Sequence, residues 1–165
     1  MTDADPSKSP IVKDIFRGKL ETLENSSTAQ QAAKKLRNSE SSSLLIVDSR
    51  GDSIGIITER DLVRKICALH KRSSQIIVEE IMSSPIITVE LYSSLREAAN
   101  EMIQHKVRHL LVLNRKRAYG IISANDFASY LKQNIDMDEV NATILESLLN
   151  IWQGPTNSRL SVSLQ

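Results

Sequence analysis

A chain of 165 residues with 25% charged and 41% hydrophobic side chains has the composition of a globular protein, and its length suits one domain or two half-domains sharing a core. The formal net charge of +1 provides no overall attraction to nucleic acid or to an acidic membrane surface. The sequence has no apolar run of bilayer-spanning length, no signal-peptide pattern and only one cysteine, Cys67, so we expect a cytoplasmic protein without internal disulfides.

The first part of the chain predicts an arm followed by an α/β unit. Residues 1–10 are mostly Asp, Ser, Lys and Pro, and we expect them to form a disordered arm. From about 11 to 69 the pattern predicts a short strand, a helix, two strands and a second helix. The two adjacent strands are the apolar runs 44–47 and 54–57, which turn-forming residues separate. Thr58 then begins the second helix.

The next part of the chain predicts a second unit of the same kind. A polar linker at 70–77 precedes this unit, which runs from about 78 to 133. Its hairpin strands are predicted at 109–113 and 118–122, and Ser123 begins its last helix.

One more helix is predicted outside these two units. Residues 136–152 carry an amphipathic stripe that ends at Trp152, and residues 153–165 have the composition of a flexible tail. Three roles stay open for this helix: it packs on its own module, forms a dimer contact or docks a separate effector.

The two units are copies of one another. Leu44–Val47 returns as Leu110–Leu113, which is 66 residues later, and Gly55–Asp61 returns as Gly120–Asp126, which is 65 residues later. The one-residue deletion falls at the turn between the hairpin strands, where length changes are tolerated. Two copies in so short a chain predict a pseudo-twofold α/β sandwich, in which each copy covers the apolar face of the other. Any site at their junction is then expected to exist twice.

The motif Gly-Ile-Ile-Thr/Ser-x-x-Asp carries the most chemical information, because it occurs twice where a strand is followed by a helix. Its glycines leave room for a ligand or another backbone to approach. Its hydroxyl residues begin a helix, where free N–H groups favour a phosphate. Its aspartates can accept hydrogen bonds from the paired hydroxyls of a ribose. The six residues are Gly55, Thr58, Asp61, Gly120, Ser123 and Asp126.

A structural interpretation of the same motif stays open beside the binding interpretation. Thr-x-x-Asp and Ser-x-x-Asp are also capping boxes that stabilise a helix N-terminus. The two interpretations are compatible, because a capping side chain still leaves N–H groups for an anion.

The repeat pair resembles a tandem of CBS domains, the modules named after cystathionine beta-synthase. The resemblance covers about residues 11–133 and is carried by Gly55–Arg64, Val107–Leu113 and Gly120–Asp126. It implies a regulatory module rather than an enzyme. Modules of this family bind adenosine compounds, with AMP, ADP or ATP expected here, in two clefts between the repeats, and they commonly form homodimers.

The resemblance also implies roles for individual residues. The motif aspartates, Asp61 and Asp126, would hold ribose hydroxyls. Thr58 and Ser123 would lie towards the ribose and phosphate. Two threonines that precede the first helix of each repeat would border the adenine, and these are Thr22 and Thr88.

The two clefts are not expected to be equal, because cationic side chains differ between the copies. The differing pairs are Arg60 and Asn125, Lys19 and Pro85, and Ser42-Ser43 and Arg108-His109. Arg108 and His109 are candidates for a phosphate at a cleft mouth, and a solvated strand entry is the alternative. We expect one good nucleotide site at most, with the other weak or empty.

These features lead to the hypothesis of a stand-alone regulatory module that binds an adenosine nucleotide and signals to a separate effector protein. A ligand-independent dimerisation or scaffold module is the alternative, and the serine-rich entry of the first repeat favours it. Catalysis is not expected, since no nucleophile, base or metal ligand set stands out. His105 and His109 are predicted to diverge, so no metal site is expected. Nothing resembles a recognition helix for nucleic acid.

Overall fold

The structure, a computed structural model, describes residues 9–17 and 19–134. The predictions for residues 1–8, for the helix at 136–152 and for the tail at 153–165 lie outside the described residues. No helix in the described part of the chain is long and apolar enough to cross a membrane.

The first repeat contains three helices and three strands in the order that the sequence predicts, after one initial helical turn. Its elements are α1 (Val12–Ile15), β1 (Thr22–Glu24), α2 (Ala29–Ser39), β2 (Ser43–Val47), β3 (Ser53–Thr58) and α3 (Glu59–Lys65). A short 3₁₀ turn, Cys67–Leu69, follows α3.

The second repeat contains the same succession. It begins with a 3₁₀ turn, Val78–Glu80, at the position equivalent to α1. Its further elements are β4 (Thr88–Glu90), α4 (Leu95–Gln104), β5 (His109–Asn114), β6 (Arg117–Ser123) and α5 (Ala124–Asn134).

Each repeat forms one three-stranded sheet with a parallel and an antiparallel pair. β1 lies parallel to β2 and β2 antiparallel to β3, and β4, β5 and β6 pair in the same way. Even the register is shared, since Leu45 lies opposite Ile56 in one sheet and Leu111 opposite Ile121 in the other. The predicted α/β fold with two strand-helix-strand-strand-helix repeats is therefore confirmed.

The two repeats exchange their first helical turns. Val12 and Ile15 of α1 are buried in the hydrophobic core of the second repeat, whereas Val78 and Ile81 are buried in that of the first. Burying an aliphatic side chain of this size contributes about 1.5–3 kcal/mol, so each repeat completes the other's core. The first helical turn of each repeat thus stabilises the other repeat, although it belongs to its own repeat in the sequence.

Side chains of these exchanged segments occupy the space beside the motif glycines. A β-carbon on Gly55 would collide with the side chain of Met82, and one on Gly120 would collide with the ring of Phe16. The close approach that we predicted at the glycines is therefore made in this structure by a protein side chain. The glycines let the exchanged segments pack closely against the sheets.

Candidate functional site

Two clefts lie between the repeats, and each joins the motif of one repeat to the strand entry of the other. The first-motif cleft, of about 150 Å³, is lined by Ile56, Thr58, Arg60, Asp61, Ser83, Pro85, Ile86, Ile87, Lys106, Val107, Arg108 and His109. The second-motif cleft, of about 270 Å³, is lined by Lys19, Glu21, Ser39, Glu40, Ser41, Ser42, Ser43, His109, Ile121, Ser123 and Asp126. Most lining positions of one cleft are equivalent to lining positions of the other by the repeat offset.

Most of the predicted site residues lie in these clefts. Thr58, Arg60, Asp61 and Arg108 line the first, Ser123 and Asp126 line the second, and His109 lines both. The predicted threonines Thr22 and Thr88 begin β1 and β4, and they are not among the lining residues. Glu21 and Ile87, which directly precede those threonines, line the clefts instead.

The aspartate of the first motif forms a complete capping box. Asp61 Oδ2 accepts hydrogen bonds from the Thr58 amide at 2.9 Å and from the Thr58 hydroxyl at 2.7 Å, while the Asp61 amide donates back to Thr58 Oγ1. Its other oxygen, Oδ1, lies 2.9 Å from the ammonium of Lys65 and 3.5 Å from the hydroxyl of Ser83. The structural interpretation of this motif is thus realised, and both carboxylate oxygens have partners within the chain.

The aspartate of the second motif leaves one oxygen available. Asp126 Oδ2 accepts from the Ser123 amide at 2.6 Å and from the Ser123 hydroxyl at 2.8 Å. Tyr130 stands at the position equivalent to Lys65, so the neighbouring cation is missing here. Asp126 Oδ1 has no hydrogen-bond partner among the described residues and can accept hydrogen bonds from a ligand.

Two arginines from different repeats face the first-motif cleft. Arg60 lies in the first turn of α3, and Arg108 directly precedes β5. Desolvation lowers the pKa of Arg60, and the positive charges of Arg108 and Arg64 lower it further. Guanidinium groups that repel one another in this way favour an anion, because one phosphate can accept hydrogen bonds from both.

His109 lies at the boundary between the two clefts. Its Nε2 atom is 3.1 Å from the hydroxyl of Ser42, which lines the second-motif cleft. Burial lowers the pKa of His109 to about 4, and the nearby charge of Arg108 acts in the same direction. Its imidazole is therefore neutral near pH 7 and takes part in hydrogen bonds rather than in charge attraction. The other histidine of the predicted pair, His105, instead lies 3.4 Å from a carboxylate oxygen of Glu101.

Several cleft residues were not recognised from the sequence. These are Ser83, Ile86, Lys106, Glu21, Ser39, Glu40 and Ser41. The repeat offset contains a usable signal, because Glu40 and Lys106 are equivalent positions and both follow the first long helix of their repeat. What the offset does not reveal is which motif each of these segments faces.

A family model for the CBS domain matches residues 12–68 and 78–133. The chain belongs to the CBS-domain family. Pairs of CBS domains are typically regulatory modules, and proteins built from them alone are generally not catalysts.

Several known proteins are similar to this CBS pair. An uncharacterized protein of Methanopyrus kandleri is 35% identical over 120 residues, which are 72% of this chain and 61% of the relative, so the chain spans less than two thirds of that relative. A CBS domain protein of unknown function from Thermoplasma acidophilum, 17% identical, shares the fold with a TM-score of 0.73 over 88% of this chain and 78% of its own. A hexameric CBS-CP12 protein from bloom-forming cyanobacteria, 25% identical, has a TM-score of 0.67 over 76% of this chain and 75% of its own.

Proposed function

We propose that the chain is a regulatory module that binds an adenosine nucleotide in the first-motif cleft and signals its binding to a separate effector protein. The observation that carries this proposal is the convergence of Arg60 and Arg108, from opposite repeats, on one cleft. Their mutual repulsion is relieved when a phosphate lies between them. The positive charge thus selects a ligand that carries phosphate.

The remaining walls of the same cleft suit the other parts of a nucleotide. One wall is apolar, as the flat faces of an adenine require, and consists of Ile56, Pro85, Ile86, Ile87 and Val107. Asp61 offers its Oδ1 atom to the ribose. The 2.9 Å ion pair of this oxygen with Lys65 can remain, while its 3.5 Å contact with Ser83 is weak enough to be exchanged for a ribose hydroxyl. Its capping bonds to Thr58 use the other oxygen and are retained.

The cleft is also placed where a ligand would change how the repeats sit together. Ile56 of β3 and Ser83 of the second repeat are joined by two backbone hydrogen bonds, of 3.0 and 2.8 Å. A nucleotide that contacts Arg60 on one repeat and Arg108 on the other adds a further connection beside this pair. Such a ligand stabilises the arrangement in which both arginines face the cleft, and an effector can recognise that arrangement.

The test measures nucleotide binding in the wild type and in two matched arginine variants. AMP, ADP and ATP are titrated against the wild type, Arg108→Gln and Arg117→Gln by calorimetry and thermal shift. Arg117 lies at the exposed hairpin tip, so its substitution removes the same charge away from the cleft. At 100 times its Kd a nucleotide adds about 2.7 kcal/mol of stability.

We expect one of the three nucleotides to stabilise both the wild type and Arg117→Gln. In Arg108→Gln its affinity should be weaker on the order of tenfold, because a hydrogen bond to a charged group contributes about 1.5–3 kcal/mol. An equal loss in both variants would show that only the overall charge matters. No stabilisation by any nucleotide, in a protein that melts cooperatively, would reject the proposal.

A ligand-independent dimerisation module is the second candidate, and one observation favours it. Both carboxylate oxygens of Asp61 already have partners, since helix capping engages Oδ2 and Lys65 pairs with Oδ1, so contacts within the chain explain the motif without a ligand. Two large apolar side chains close together in the chain, Val63 and Leu69, are also 59% and 57% exposed. This candidate predicts a homodimer in analytical ultracentrifugation whose dissociation constant is the same with and without nucleotide.

A further inference from the structure

The two clefts have the same architecture but opposite charge. In the first-motif cleft three cationic side chains, Arg60, Lys106 and Arg108, accompany one carboxylate, which gives a formal charge of +2 with neutral His109. In the second-motif cleft one cation, Lys19, accompanies three carboxylates, which gives −2; these carboxylates are Glu21, Glu40 and Asp126. Two lysines that do not line the clefts pair with lining carboxylates, Lys65 with Asp61 and Lys35 with Glu21. Including them raises the formal charge of each cleft by one. The difference of four charges stays the same.

Substitutions at equivalent positions produce this difference. Ser42 stands where the second repeat has Arg108, and Asn125 stands where the first repeat has Arg60. The second-motif cleft therefore lacks both guanidinium groups that suit a phosphate in the other cleft. Glu40 also replaces Lys106, so a phosphate there would lie close to an additional negative charge.

The second-motif cleft nevertheless presents polar groups that are ready for a ligand. Ser43 is only 5% exposed, and its hydroxyl has no hydrogen-bond partner among the described residues. Among the described residues, every side-chain polar atom that is fully enclosed has a hydrogen-bond partner. The Ser43 hydroxyl has none, so it is not fully enclosed and must reach open space. Ser43 lines this cleft, so the open space is the cleft itself. Asp126 Oδ1 is available in the same way. An accessible hydroxyl on a largely buried residue and an available carboxylate oxygen are groups that recognise a polyhydroxyl compound.

We propose that the second-motif cleft is a separate site for a ribose-bearing ligand without a phosphate group, neutral or cationic, and that Ser42 and Asn125 determine this preference. The inference rests on the proposed function in one respect, since it assigns ribose recognition to the motif aspartate. Asp126 Oδ1 accepts hydrogen bonds from the ribose hydroxyls, and Ser43 contributes a further hydroxyl. Ile121 and the neutral imidazole of His109 lie beside the base.

The test uses adenosine and AMP, which differ only in the phosphate group, and observes each cleft separately. Isoleucine methyl groups labelled with ¹³C serve as reporters, because Ile121 lines only the second-motif cleft and Ile56 only the first. Each signal is assigned with an Ile→Val variant. We expect adenosine to shift the Ile121 methyl signal, and AMP to shift it only at concentrations on the order of tenfold higher, which corresponds to about 1.4 kcal/mol.

A charge transplant then tests which residues set the preference. The double variant Ser42→Arg, Asn125→Arg places guanidinium groups at the two positions equivalent to Arg108 and Arg60. Both positions are exposed, so the longer side chains fit without disturbing the core. We expect AMP to shift Ile121 in this variant at a concentration similar to that at which it shifts Ile56 in the wild type.

The outcomes separate this inference from the proposed function. If adenosine leaves Ile121 unchanged in the wild type, or if AMP shifts it as readily as adenosine does, the inference is wrong. If the double variant gains no AMP response at Ile121, Ser42 and Asn125 do not set the preference. The proposed function is judged on a different signal, since it requires that a nucleotide shift Ile56.

Discussion

The boundary residue His109 gives a quantitative prediction for stability against pH. Its imidazole lies between the clefts, within reach of the charges of Arg108, Arg60, Asp126 and Asp61. Burial, and then Arg108, lowers its pKa from 6.5 to about 4. In the unfolded chain the same imidazole takes up a proton below about pH 6.5. Between these two values the unfolded state binds more protons, so stability falls as the pH is lowered.

The size of the effect follows from the two pKa values. Within the window from 6.5 to 4 the folded protein loses about 1.4 kcal/mol per pH unit from this group, or about 3 kcal/mol in all. That is a large part of the 5–15 kcal/mol by which a typical domain is stable. Above pH 6.5 both states carry a neutral imidazole, and the group makes no contribution to the pH dependence.

Comparing His109→Gln with the wild type isolates this contribution from that of the carboxylates, which titrate in the same range. Glutamine keeps a hydrogen-bonding group near Ser42 but takes up no proton. Urea unfolding followed by circular dichroism from pH 7 to pH 4 gives the free energy of unfolding of each protein. We expect the wild type to lose about 3 kcal/mol relative to His109→Gln over this range. His105→Gln, which removes an exposed imidazole, serves as the control.

A constant difference between the wild type and His109→Gln across the whole range would refute the reasoning. It would mean that the pKa of His109 is the same in the folded and the unfolded protein, so that the folded protein gains a charged imidazole below about pH 6.5, as the sequence-based interpretation of a phosphate partner allows. The urea m-value must stay the same in both proteins for the comparison to hold.

Three further predictions concern the packing of the repeats. Gly120→Ala should destabilise the protein by about 1–3 kcal/mol in urea unfolding, because the new β-carbon meets the ring of Phe16. The same substitution should cost less when it is made in Phe16→Ala, and an equal cost in both backgrounds would contradict this. Ile15→Ala should lower the free energy of unfolding by about 2–5 kcal/mol, and it should lower the hydrogen-exchange protection of the second repeat more than that of the first. Ile81→Ala should give the reverse pattern. A loss of protection confined to the repeat that carries the mutation would contradict the exchange of helical turns. Thr58→Ala removes the cap of α3 and should cost about 1 kcal/mol in thermal unfolding, and a neutral result would show that the capping box does not stabilise the helix.

Much of this architecture could be predicted from the sequence, because local patterns determine it. The hairpin strands are apolar runs bounded by turn residues, and each predicted end lies within one residue of the observed end. Thr58 and Ser123 precede helices as predicted, since a hydroxyl residue followed by Asp at the third position is a local signal for a helix N-terminus. The duplication followed from the repeat offset alone, which is 66 residues before the hairpin turn and 65 after it.

The space beside the motif glycines could not be predicted in this way. A glycine shows that something approaches the backbone closely, but it does not identify what does. Phe16 and Met82 occupy these positions because the exchanged helical turns before them pack on the opposite repeat. Those contacts join segments far apart in the chain, so no local pattern indicates them.

The sequence by itself determined that two copies of the Gly-Ile-Ile-Thr/Ser-x-x-Asp motif exist, and that the cationic residues of the two copies differ. Only the tertiary structure decided that Arg60 shares a cleft with Arg108, and that Asp126 shares one with Glu40 and Ser43. Cross-repeat neighbours such as Ser42 and His109 are 67 residues apart, and their contact depends on how the two sheets pack. The charge of each cleft is a sum over residues from both repeats, and it is therefore defined only when the chain is folded.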